Sequence, residues 1–366
     1  MVDRRLFSHF DWTLLLLAAA IAALGLATLY AATHHLGQTE GTPLYVKQLY
    51  WLGLGLVALA VMVVIDYHFF EEYGYLIFLA SLALLAAVLV MGRSAGGSQR
   101  WIAVGPLNLQ PSEAAKLALI ITLAKYFHNH EAPGGYRLVD LLAPLVIVGA
   151  PMALILKQPD LGTALVLALI FASMLVLVRL RASTWISLFV AAALSFPIGW
   201  SVLKPYQRNR ILTLLNPDAD PLGTGYHIRQ SLIAVGSGKS FGKGYLQGTQ
   251  SHLRFLPEQH TDFIFSVFAE EWGFVGAALL IALYGALILW GLRVAWLAKD
   301  RFGSFCAAGV VAFVFWHVFI NIGMVTGILP VVGMPLPLFS YGGTSVLVFM
   351  SALGLLINVS MRRHRR

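Results

Sequence analysis

The chain has 366 residues, 58% hydrophobic and 11% charged, with a formal net charge of +8 and a mean hydropathy of +0.77. A soluble domain carries about a quarter charged residues, so this composition leaves too little polar surface to coat a soluble globule and implies an integral membrane protein. The 25 Lys and Arg flank apolar segments instead of gathering on one basic face, which argues against a nucleic-acid partner, and the single Cys306 excludes an internal disulfide or a cysteine metal cluster.

A membrane-crossing helix needs about 20 mostly apolar residues. By that measure an all-α chain of ten spans is expected, at 10–32, 46–65, 74–91, 111–127, 138–156, 161–179, 184–203, 263–296, 304–327 and 341–360. The first run is too long for a signal-peptide core and is expected to stay as an uncleaved span. With the N-terminus inside, thirteen Lys and Arg fall in inner segments and four (Lys47, Arg93, Arg100 and Lys157) in short outer loops. That bias places both termini in the cytoplasm, although the inner loop DYHFFEEYG at 66–74 is acidic. The whole chain reads as one polytopic domain.

Between the third and fourth spans, GGSQRWIAVGP offers Arg100 and Trp101, suited to an interfacial anchor or to substrate contact. LQPSEAAK then reads as a helix start that puts Glu113 and Lys116 on one face, three residues apart. They either neutralise each other structurally or face a cavity, where intramembrane charges usually belong. In KQPDLGT, Lys157 and Asp160 lie at the outer end of a span, and Asp160 can cap the next helix or line a pocket.

The outer segment 204–262 is long enough to suggest a function of its own. Within it HIRQSLIAV reads as a short amphipathic helix. GSGKS at 236–240 is not a nucleotide-binding loop, because the pattern needs Gly where Ile233 stands. A solvated turn is the expectation for GSGKSFGKG, with a backbone phosphate cradle near Lys239 and Lys243 as the alternative. FLPEQHTDFIF returns the chain to the bilayer. Thr261 there can cap the eighth helix, leaving Asp262 in a first turn that favours a carboxylate. Partly desolvated, Asp262 would instead serve as a general base. Finally, the prolines and glycines of ILPVVGMPLPLFSYGG (328–343) cannot form one straight helix. A re-entrant or extended outer segment is expected, tolerable at membrane depth only when packed in protein or lining a cavity.

NIGMVTGILPVVGMPLPLFSYGGTS (321–345) resembles the signature segment of the SEDS family, the shape, elongation, division and sporulation proteins. GGSQRW, LQPSEAAK, QPDLGT, YQRNRI, DPLGTGYH, GTQS and FLPEQHTDFIF match that pattern in order, so the likeness covers essentially the whole chain and is strongest to the elongation branch. The resemblance implies a peptidoglycan glycosyltransferase of the bacterial plasma (inner) membrane that polymerises lipid II, with Asp262 at the position of the catalytic carboxylate. It also implies a class B penicillin-binding protein and the MreB-associated elongation complex as partners.

Transfer from an α-linked donor to a β-linked product inverts in one displacement and needs one base. The departing pyrophosphate needs its charge stabilised, for which Lys116, Arg208, Arg210 and Arg229 are candidates. The 328–343 wall would bind lipid II through Ser340, Gly342 and Gly343, or else be a rigid loop without a ligand. No dedicated metal cluster is visible, which leaves a divalent cation, magnesium or manganese, bridging Asp262 and pyrophosphate as the one cofactor to consider. Two rival functions share the topology: a lipid II flippase, which the Glu113–Lys116 pair would suit, and a non-catalytic scaffold for the transpeptidase.

Overall fold

The computed structural model describes residues 9–34, 42–95, 98–105, 107–203, 205–216, 220, 223–249 and 259–363. Parts of the 204–262 segment, including Lys204, Arg254 and Glu258, lie outside the described residues, as do Ser251 of GTQS and the terminal arginines Arg4, Arg5, Arg365 and Arg366.

Helices stand at all ten expected places. They are α1 (Trp12–Thr33), α2 (Leu44–Val64), α3 (Tyr67–Met91), α4 (Pro111–Asn129), α5 (Leu142–Lys157), α6 (Leu161–Val176), α7 (Ala182–Val202), α10 (Ile264–Trp296), α11 (Arg301–Val325) and α12 (Gly343–Arg362). Between α7 and α10 lie the shorter α8 (Pro205–Leu215) and α9 (Thr224–Ser237), the latter where the amphipathic stretch is expected. Among the described residues, eight helices are long and apolar enough to cross a membrane. The other two are α4, which carries Glu113, Lys116 and Lys125, and α6, with 16 residues. Both are mostly enclosed by neighbours: α4 packs on α3 and α11, and α6 packs on α5 and α11. A helix wrapped in protein does not need an apolar surface all round.

Aspartate starts four of these helices. Asp11, Asp66, Asp160 and Asp300 each accept a hydrogen bond from a backbone N–H in the first turn of α1, α3, α6 and α11, which satisfies one of the donors every helix start leaves open. Asp11 does more, since it also accepts from Trp290 Nε1 at 3.0 Å and from Ser360 Oγ at 2.7 Å, tying α1 to α10 and α12. Small residues set the closest approaches: a Cβ on Gly354 of α12 would lie 2.7 Å from the Leu59 carbonyl oxygen of α2. By contrast α7 exposes nearly its whole length.

Three features depart from expectation. A small antiparallel meander, β1 (Arg93–Ala95), β2 (Ser98–Val104) and β3 (Leu107–Leu109), adds strands to an otherwise helical chain. QRWIAV and LNL pair across a turn in which Gly105 has φ +60°, with Ile102 opposite Leu109. Second, α10 begins at Ile264, so Thr261 is not its cap, and Thr261 and Asp262 belong to the turn before it.

Third, α10 is broken at Gly273, with φ 66° and ψ −164°. The Gly-rich stretch 239–244 fills the break. Phe274 and Val275 donate to the carbonyls of Lys239 and Ser240, while Lys243 and Gly244 donate to those of Glu270 and Glu271. The stretch is an exposed turn at Lys239, Ser240 and Phe241, as expected, and it also has a structural partner. Its backbone groups satisfy the backbone of the broken helix, and Lys243 Nζ adds a 2.6 Å bond to buried Glu270.

Candidate functional site

The segment from Gly327 to Gly342 has no helix or strand, as its prolines require. Its polar backbone is satisfied by the protein around it. Tyr284 Oη donates to Pro337 O at 2.6 Å, Gln48 Nε2 to Ser340 O at 3.1 Å, and Arg210 Nη1 to Val331 O at 3.1 Å. Irregular backbone anchored this way can wall a cavity within a membrane protein.

That cavity is the place where most of the singled-out residues meet. It has a volume of ≈ 590 Å³, and its wall is built from β2, the first turns of α4, the α5–α6 corner, α8, the turn before α10, α11 and the 330–335 stretch. Asp262, Glu113, Lys116, Arg100, Trp101, Asp160, Arg210 and Gly342 all line it.

Asp262 is held by its neighbours' backbone and by one amide. Asn321, fully buried in α11, donates from Nδ2 both to Asp262 O at 3.0 Å and to Met334 O at 2.6 Å. A single side chain thus joins the turn that carries the carboxylate to the opposite wall. The Tyr341 N–H adds a 2.9 Å bond to His260 O. Across from Asp262, Gly333 has φ +73°, and a Cβ there would sit 3.2 Å from Asp262 Oδ2. Glycine is required by the backbone and keeps the space beside the carboxylate open.

Lys116 and Glu113 are both buried and form a 2.6 Å ion pair. His317, fully buried on α11, joins them, with its Nε2 3.0 Å from Lys116 Nζ. Glu113 Oε2 is buried without a hydrogen-bond partner among the described residues. A buried carboxylate oxygen of this kind can accept a hydrogen bond from water or from an occupant of the cavity.

Arg100 is largely committed to the α5–α6 corner. Its Nε donates to Gln158 O at 3.1 Å, Nη2 donates to Pro159 O, and Nη1 lies 3.6 Å from Asp160 Oδ2. Asp160 both caps α6, through Thr163 N at 3.1 Å, and lines the cavity, so its two roles coincide. Arg100 and Trp101 line the cavity, a position open to substrate contact.

Five candidates do not reach this wall. Lys157 is exposed at the end of α5, because the helix turns it away from the corner that Asp160 faces. Arg208 donates to Ser201 O at 2.6 Å. On α8, Gln207, Arg210 and Ile211 face the cavity, and the helical turn points Arg208 elsewhere. Arg229 is exposed on α9, whose Ile228 and Ser231 face inward. Ser340 is buried, its Oγ accepting from Leu336 N at 2.8 Å to close a turn. Gly343 allows the Trp51 ring to approach, since a Cβ there would lie 2.1 Å from it. Conversely, Asn321 and His317 carry structural weight at the site without having been singled out. Their signal was a pair of polar residues four apart, HVFIN, inside an apolar span.

Comparison with known proteins agrees with this architecture. The cell cycle protein family FtsW/RodA/SpoVE matches residues 10–365. The chain is 41% identical over 359 residues to the peptidoglycan glycosyltransferase MrdB of Escherichia coli strain K12, spanning 97% of this chain and 94% of that one. It also superposes on a chain of a peptidoglycan synthase complex, solved for its structural coordination of polymerization and crosslinking. There the TM-score is 0.80 and the identity 35%, across 98% of this chain and 99% of that one. Against the rod shape determining protein RodA of Thermus thermophilus the TM-score is 0.71 at 31% identity, covering 98% of each chain. Across nearly its full length, then, this multi-pass membrane chain belongs to the FtsW/RodA/SpoVE family of SEDS proteins.

Proposed function

We propose that the chain is a peptidoglycan glycosyltransferase that polymerises lipid II, with Asp262 as general base. One observation carries this proposal: Asp262, Lys116 and Arg210 line the same ≈ 590 Å³ cavity inside a bundle of membrane-crossing helices. A lipid-borne substrate needs such a polar chamber beside hydrocarbon. The relatives named as peptidoglycan glycosyltransferases support the reaction class.

The chemistry follows from the side chains. Asp262 takes the proton of the acceptor sugar's 4-hydroxyl as its oxygen attacks the anomeric carbon of the donor. The bond from that carbon to the pyrophosphate breaks, and the electron pair leaves with the phosphate oxygen. The proton then passes from Asp262 to water. Lys116 and Arg210 supply positive charge where negative charge develops, and the desolvated wall makes that charge count for more than in water. Glu113 Oε2 would accept a sugar hydroxyl or amide N–H. Among the described residues no three His, Cys, Asp or Glu side chains gather as metal ligands. A magnesium or manganese ion held by Asp262 would supply further positive charge at the departing pyrophosphate.

The Lys and Arg bias orients the bundle with both termini in the cytoplasm of the bacterial plasma membrane. The 204–262 and 328–343 segments, which wall the cavity, then face the periplasmic or cell-wall side, where lipid II is consumed. A class B penicillin-binding protein within the MreB-associated elongation complex would crosslink the product. The similarity to a synthase complex chain supports that pairing.

The test is purified protein, with its transpeptidase partner, supplied with lipid II. Wild type should build glycan chains, whereas Asp262→Asn should lose at least ~100-fold in rate, the scale of a lost general base. Chain building by Asp262→Asn at the wild-type rate would defeat the assignment. Lipid movement without chains would point to a flippase, and activity from the partner alone would point to a scaffold.

A further inference from the structure

The buried charged pair has a third member that the proposed mechanism does not use. His317 is fully buried on α11, lines the cavity, and lies between two groups of opposite hydrogen-bonding character. Its Nδ1 is 2.8 Å from the Phe313 carbonyl oxygen, and its Nε2 is 3.0 Å from Lys116 Nζ. A carbonyl can only accept, so the network assigns the proton to Nδ1. The Nε2 lone pair then accepts from the ammonium.

We infer that His317 is a positioning residue: it fixes the Lys116 ammonium in the cavity wall so that the nitrogen is presented to the pyrophosphate of the bound lipid. This inference rests on the glycosyltransfer reading above. A lysine ammonium has three N–H donors on a flexible stem. Glu113 takes one at 2.6 Å and His317 takes another at 3.0 Å. The Phe313 ring lies 5.3 Å from Nζ, and its centroid is 4.6 Å from that of the His317 ring. Two fixed acceptors on different helices define the direction of the third N–H, which a single ion pair would leave free to rotate about the stem.

The chemical type of the second acceptor matters. A second carboxylate would hold the ammonium equally well but would leave a net negative site, which repels a phosphate. A neutral imidazole holds it without adding negative charge. An apolar residue of similar size would fill the space and leave Lys116 free to collapse fully onto Glu113, including its unpartnered Oε2.

The experiment measures binding of undecaprenyl pyrophosphate, with lipid II polymerisation alongside, on the full chain in detergent at matched folded fractions. His317→Leu should weaken binding about tenfold, the equivalent of ~1.4 kcal/mol. His317→Gln, which keeps a neutral oxygen acceptor, should stay within about threefold of wild type on the same scale. Both changes are then repeated in a Glu113→Gln, Lys116→Gln background, which removes the ammonium without stranding a buried charge. There each should cost less than about twofold, because a residue that acts only through Lys116 has nothing left to act on. Equal losses in the two backgrounds would make His317 a packing residue and overturn the inference. So would wild-type binding by His317→Leu. Wild-type protein that neither binds undecaprenyl pyrophosphate nor polymerises lipid II would instead remove the functional reading, and this inference with it.

Discussion

The Glu113–Lys116 pair should cost different amounts when broken from its two ends. The side chains are 6% and 1% exposed, with Nζ 2.6 Å from Oε1. Lys116→Met strands a carboxylate whose second oxygen already lacks a partner. Removing one member of a buried pair in this way costs on the order of 3–5 kcal/mol. Glu113→Gln is milder, since the ammonium keeps His317 at 3.0 Å and gains an amide oxygen. The loss is an ion pair traded for a weaker hydrogen bond from the ammonium to an amide oxygen, about 1–2 kcal/mol. At roughly 2 °C per kcal/mol for a large chain, the unfolding midpoints should fall by about 6–10 °C and 2–4 °C.

Cys306 supplies the assay. It is the only cysteine and is fully buried, so its reaction with a thiol-specific dye during a thermal ramp in detergent reports opening of the bundle. The swapped double variant, Glu113→Lys with Lys116→Glu, sharpens the test. It restores the ion pair but turns a carboxylate toward the His317 Nε2 lone pair. Moving the imidazole proton to Nε2 would shift the clash to the Phe313 carbonyl, and adding a second proton would place a charge on a fully buried ring. The swap should therefore recover less than half of the Lys116→Met loss. Equal drops for the two single variants, or full recovery by the swap, would refute the triad as the unit that holds these charges.

Two further outcomes are expected. Asn321→Ala removes both tethers, to Asp262 O and Met334 O. Lipid II polymerisation should slow by on the order of 10–100-fold while protein still folds, as expected when a base is misplaced by about an ångström; full activity would show that the turn holds itself. Along α10, Gly273→Ala puts a Cβ 2.2 Å from Gly242 N at φ 66°, whereas Gly285→Ala meets nothing within 4 Å. The first should destabilise by about 2–4 kcal/mol. The second should be neutral or stabilising by up to ~1 kcal/mol in the same thiol-dye melt.

Hydropathy and helix-start chemistry are local properties, and they made the helical frame legible from the chain alone. Runs of about 20 apolar residues can only be satisfied as spans, and each aspartate cap sits within three residues of the helix it starts. The Pro- and Gly-rich stretch excluded a helix for the same local reason. The ordered motifs carried the family likeness, and Asp262, Glu113, Lys116, Arg100, Trp101, Asp160, Arg210 and Gly342 followed from them into one chamber.

Where charges meet is not local, and only the tertiary structure decided it. His317 stands 201 residues from Lys116, and Asn321 stands 59 from Asp262. Nothing in either neighbourhood states the pairing, because a buried polar group is satisfied by whichever helix packs beside it. The same cause separates Arg210 from Arg208 on one short helix, sets Gly343 against the Trp51 ring, and brings the backbone of the exposed GSGKSFGKG turn into the break of α10. The chain specifies which segments leave water. Their packing specifies which polar groups face one another once water has gone, and the chemistry of the site depends on that second choice.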